Sequence, residues 1–147
     1  MPTAALRPTA SGYSLAACQT AVGAADQVLQ AAKRQTREIV LNAGGLDKAQ
    51  HAGHGLAWLA TYVEALRQLA GWAAQLEANG RLGEIERLIV EIGFGEYLAQ
   101  IAGGIPMSQG ETVRLAALGV PRGEIRRFED AVAALIEAGT AVAARAR

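Results

Sequence analysis

A chain of 147 residues in which 14 Lys and Arg balance 14 Asp and Glu has no overall field to attract nucleic acid or an anionic membrane, so either partner would need a local patch. Apolar residues make up 51% and charged residues 19%, below the ~25% usual for soluble domains, which suits one domain with a sizeable core and some apolar surface left over. The single cysteine, Cys18, excludes an internal disulfide and fits a reducing compartment.

Residues 1–12 hold two prolines and no apolar period, and predict a flexible arm ahead of one helical bundle domain over residues 13–147. "LAAC", residues 15–18, imitates a lipoprotein cleavage site, but the preceding "LRPTASGYS" is too polar for a signal core, so a soluble cytoplasmic chain is expected. Ser14 can cap a long helix whose stripe is Leu15, Cys18, Val22, Ala25, Leu29, Ala32, Thr36 and Ile39, ending at "NAGG", residues 42–45.

Asp47 is the predicted cap of a second helix that runs to about Ala78, where "NG" stops it. Its apolar residues form two rows: Leu56, Leu59, Val63, Leu66 and Ala70, then Trp58, Tyr62, Leu69, Trp72 and Leu76. Together they span roughly 200° of the helix, about twice what one core needs. Glu64 and Arg67 interrupt the run, so no membrane span is expected.

A third helix, about Leu82 to Ala102, opens with the stripe Leu82, Ile85, Leu88, Ile89 and Ile92. After "GFG", residues 93–95, the set becomes Phe94, Tyr97, Leu98 and Ile101, roughly half a turn away, so the helix is expected to bend or change neighbours there. The glycines suit close helix packing. "GGIPM" ends this helix, and Ser108 with Glu111 forms an S-x-x-E capping box for a short helix to Leu118. Gly119 stops it, Pro121 opens the last helix, and Ile125, Phe128, Val132, Leu135, Gly139 and Val142 carry that helix to about Ala144. No segment reads as a strand. The expected fold is all-α, an antiparallel bundle of four long helices plus one short helix.

Catalytic and metal chemistry find little support. His51 and His54 are one turn apart, but zinc wants three or four protein ligands and no third histidine exists, so they read as solvated or packing residues. No "GxSxG" elbow supports a serine hydrolase, Cys18 lies on an apolar stripe with no cation near it in sequence, and "GFGEYLAQIAGG" lacks the strand a nucleotide loop must follow. The strongest rival is a helix-turn-helix DNA-binding regulator over residues 111–128, offering Arg122, Arg126 and Arg127 to phosphates or guanines. Zero net charge, and Glu129 and Asp130 directly after the basic cluster, weigh against nucleic acid.

"HGLAWLATYVEALRQLAGWA", residues 54–73, and "IGFGEYLAQIAGGIPMSQGETVRLAALG", residues 92–119, resemble the helical N-terminal extension of bacterial acyl-CoA dehydrogenases of the (2S)-methylsuccinyl-CoA dehydrogenase type. The resemblance implies a cytoplasmic flavoenzyme family that uses FAD, a carboxylate base and an electron-transfer flavoprotein. It carries no catalytic, cofactor-binding or metal residue onto this chain. The expectation is therefore a non-catalytic accessory domain, a fragment or subunit of such an oxidoreductase, which binds no cofactor itself. It would dock on the dehydrogenase body, or form a homodimer, through Trp58, Tyr62, Trp72 and the loop Ile105, Pro106, Met107 and Ser108.

Overall fold

The structure, a computed structural model, describes residues 13–145, with side chains described to residue 141. The arm expected over residues 1–12 and the side chain of Val142 lie outside the described residues. Helix α1 spans Leu15–Ala43 and starts where expected: the Ser14 hydroxyl accepts from the Ala17 amide at 3.0 Å, satisfying one of the first-turn donors. It ends at Gly44 (φ 82°), with the amides of Gly44 and Gly45 returning to Leu41 and Val40 carbonyls.

Asp47 is not a helix cap. The left-handed pair Gly44 and Gly45 (φ 131°) turns the chain into a 3-10 turn, Leu46–Lys48, which absorbs Asp47. Helix α2, Gln50–Ala78, then starts from Ala49 without side-chain capping. At its far end Asn79 Nδ2 donates to the Gln75 carbonyl at 2.8 Å, and Gly80 adopts φ 64°. Helices α3 (Glu84–Gly103) and α4 (Arg122–Arg145) complete the set among the described residues.

Neighbouring helices α1/α2, α2/α3, α3/α4 and α4/α1 pack around one core, each antiparallel to the next. Of the first row expected on α2, Leu59, Val63, Leu66 and Ala70 are buried and Leu56 is half-buried, with Ala52, Gly55 and Ala73 adding to the buried face. They share one core with Cys18, Ala21, Ala25, Val28, Leu29 and Ala32 of α1, and Phe128, Val132 and Leu135 of α4. Alanine on α1 lets that helix approach closely.

On α3 the outcome differs from the expected change of neighbours. A single buried face, Val90, Glu91, Phe94, Gly95, Leu98 and Ile101, serves the helix through the glycines. The first stripe is the opposite face and looks outward: Ile85 is 69% exposed and Ile89 50%. The half-turn offset separates inside from outside. The glycines do serve close packing, with Gly95 against Gly139 of α4: a Cβ built on Gly139 would sit 2.6 Å from the Gly95 Cα and 2.5 Å from the Glu91 carbonyl oxygen.

The connection from α3 to α4 also departs from expectation. Strands β1 (Ile105–Pro106) and β2 (Thr112–Val113) pair antiparallel, Ile105 opposite Val113, and a 3-10 turn, Leu115–Leu118, replaces the short α-helix. The capping box fails because its parts are used elsewhere. The Met107 amide donates to the Glu111 carbonyl at 2.8 Å, closing a hairpin over residues 108–111. Burial of Ile105, Val113, Leu115, Leu118 and Val120 anchors this segment on the core.

Candidate functional site

Spacing of four places His54, Trp58 and Tyr62 along one row of α2, the row that borders α3. The Trp58 indole N–H donates to His54 Nε2 at 3.0 Å, and the two rings lie 6.3 Å apart. Trp58 meets Tyr62 edge to face at 6.3 Å, and Tyr62 meets Tyr97 of α3 at 4.7 Å. The Tyr62 hydroxyl donates to Gln100 Oε1 at 2.6 Å. The result is an aromatic seam between two helices.

Trp58 and Tyr62 are half-buried against the core. Burial pushes the Tyr62 phenol pKa up, and the Tyr97 phenol adds to the effect. The hydroxyl therefore stays protonated around neutral pH and acts as a fixed donor. With the indole N–H and the phenol both engaged inside the chain, the seam offers ring surface for contact rather than a group for proton transfer.

The hairpin lies at the same end of α2, because Gly55 packs directly on the Val113 side chain. Of the four loop residues singled out as contacts, Ile105 is a core residue at 2% exposure, so its side chain has no free face. Met107 is half-buried against the core, and Pro106 and Ser108 are exposed. Trp72 lies elsewhere: along α2 it is about 21 Å from Trp58, and it is 37% exposed. Trp72 is thus on a different stretch of α2 from the Trp58 and Tyr62 row.

Arg122, Arg126 and Arg127 are exposed on the first turns of α4. The helix that should precede them in a DNA-reading pair is the hairpin and 3-10 turn, so the helix-turn-helix geometry is not present. His51 is exposed and His54 is bound to Trp58; no cluster of three or more His, Cys, Asp or Glu able to hold a metal occurs among the described residues. No helix among them is long and apolar enough to cross a membrane.

Nor do the described residues fit FAD. One concavity, about 510 Å³, is a shallow face lined by Ala60, Thr61, Glu64, Ala65 and Gln68 of α2 alone, with a carboxylate where a pyrophosphate would want donors. A second, between α1 and α4, is about 90 Å³. A single helix face cannot enclose a dinucleotide, which needs most of its surface covered. Cys18 is no nucleophile either. Burial first, then the Glu91 carboxylate, pushes its thiol up to about 11, so it stays protonated at neutral pH.

Sequence reasoning found Trp58 and Tyr62 by helical spacing but missed Tyr97 and Gln100 as their partners. That pairing is a tertiary contact between α2 and α3, and no local pattern marks it.

No protein-family model matches the chain. Over 115 residues it is 52% identical to a (2S)-methylsuccinyl-CoA dehydrogenase of Cereibacter sphaeroides, a match covering 78% of this chain and 20% of that protein. The likeness expected from the wording of residues 54–73 and 92–119 is thus found. The chain spans about a fifth of the length of the curated relative it matches.

Proposed function

We propose, from this likeness to one fifth of a much longer dehydrogenase, that the chain is a non-catalytic helical accessory domain of a cytoplasmic, FAD-dependent acyl-CoA dehydrogenase system. The flavin and the reacting thioester belong to the body of that enzyme. This domain contributes a docking surface: the half-buried edges of Trp58 and Tyr62 with Pro106, Met107 and Ser108 beside them. Half of each ring is already anchored by Tyr97, Gln100 and His54, so little side-chain freedom is lost on contact. The likeness at 52% identity over 115 residues carries the reading, because sequence so similar over most of a helical domain supports the same packing.

The test uses the purified chain and a separately expressed flavin-containing body of a (2S)-methylsuccinyl-CoA dehydrogenase that lacks the matching segment. Co-elution of the two is expected, weakened at least tenfold by Trp58→Ala with Pro106→Gly, while the chain alone gains no flavin absorbance from added FAD. Separate elution at all concentrations, or FAD bound by the isolated chain, overturns the proposal.

A further inference from the structure

Cys18 is the first residue of α1 to be fully buried, at 1% exposure; ahead of it Tyr13, Leu15 and Ala17 are half-buried and Ser14 and Ala16 are exposed. The start of the helix is held locally by Ser14, whose hydroxyl accepts from the Ala17 amide at 3.0 Å and whose carbonyl accepts from the Cys18 amide at 3.1 Å. A bond from another helix joins these: Glu91 Oε1 of α3 accepts from the Tyr13 amide at 3.0 Å. Glu91 is the one buried charged side chain among the described residues. Its backbone is fixed at the crossing of α3 and α4, where a Cβ on Gly139 would come within 2.5 Å of its carbonyl oxygen. We infer that residues 13–17 form a strap over Cys18, fastened by Glu91, that lifts off while the four helices stay packed.

The fastener is suited to its place. The first turn of α1 holds no acidic residue, so the Glu91 carboxylate supplies the negative charge that a helix N-terminus favours. The strap also lies close on the thiol: Tyr13 packs against the core cluster that includes Cys18, and a charge on the thiol would be felt by the Tyr13 phenol. Lifting residues 13–17 uncovers Cys18 but gives up no other fully buried side chain, while Ala21, Ala25 and Val28 keep the rest of α1 on the core. Opening a helix end in this way costs less than unfolding the domain. Glu91 therefore governs how often the thiol meets solvent.

Alkylation of Cys18 by iodoacetamide, followed in the full chain at fixed pH over a urea series, reads the opening, because the chain holds a single cysteine. A strap exposes little surface, so the rate should be flat at low urea and climb only as the domain unfolds. Glu91→Ala should raise the flat rate about tenfold. Ser14→Ala, which removes the local cap from an exposed position, should raise it about fivefold. Val113→Ala is the contrast: it deletes buried methyl groups on the hairpin at the opposite end of the bundle, so it should lower the urea midpoint and leave the flat rate unchanged. A rate that rises with urea from the outset, a flat rate that neither Glu91→Ala nor Ser14→Ala moves, or one that Val113→Ala raises as much as they do, would each overturn the inference.

Discussion

Thr36 sits on the stripe that sequence spacing assigns to the core, and it is there at 3% exposure, but its hydroxyl meets no hydrogen-bond partner among the described residues. An unsatisfied buried hydroxyl costs about 1–3 kcal/mol, and valine has nearly the same shape without it. Thr36→Val should therefore raise stability by about 1 kcal/mol, read as a higher urea midpoint with an unchanged slope. Cys18 gives a pH-dependent prediction. Its thiol is raised from 9.0 to about 11 by burial and by Glu91, so the folded state holds the proton more tightly than the unfolded chain. That contribution is complete below pH 9.0 and is lost as pH climbs through about 11, on the order of 2 kcal/mol. The alkaline fall in unfolding free energy should be smaller by this amount in Cys18→Ala than in the parent. Tyr62, also raised by burial, titrates in both proteins, whereas Tyr13 is raised by burial and then by the Cys18 charge, so the difference reports the thiol together with its effect on Tyr13.

At the scale of elements, the crossing of α3 and α4 depends on Gly95 and Gly139, whose backbones touch. Gly139→Ala places a methyl group 2.5 Å from the Glu91 carbonyl oxygen, which cannot rotate away, so the helices must part. The expected loss is about 1–3 kcal/mol, seen as a drop of several degrees in Tm. Gly71→Ala is the control: nothing lies within 4 Å of the added carbon in the interior of α2, and a gain of about 0.5–1 kcal/mol is expected. The helices themselves were legible because their ends are local chemistry, as in Ser14 capping the Ala17 amide, Gly44 turning left-handed and Asn79 closing on Gln75. The inward face of α3 was not. Ile85, Leu88, Ile89 and Ile92 satisfy the same spacing as Val90, Phe94, Leu98 and Ile101, and spacing says that a face is apolar without saying what covers it. The hairpin over residues 105–113 was misread because S-x-x-E is also compatible with a tight turn once Glu111 accepts from Met107.

For the molecule as a whole, the charge balance of 14 against 14 predicts how the proposed docking responds to salt. A contact made of ring edges, Pro106 and Met107 rests on apolar area, so association with a dehydrogenase body should change little between low and moderate ionic strength, where a charge-steered complex would weaken steeply. The candidate site was half legible for a physical reason. Trp58 and Tyr62 stand out by type and spacing on one helix, whereas Tyr97 and Gln100 join them only once α3 folds back. Ile105, hydrophobic in a glycine-rich loop, looked like surface but fills the core.

The Gly95 and Gly139 contact also limits how this fold can vary. Most tight spots in proteins can be rescued when one partner grows and the other shrinks, but here each partner is already the smallest residue available. A randomised library selected for folding should therefore return glycine at both positions independently, with no compensating pairs, while the rest of the crossing drifts.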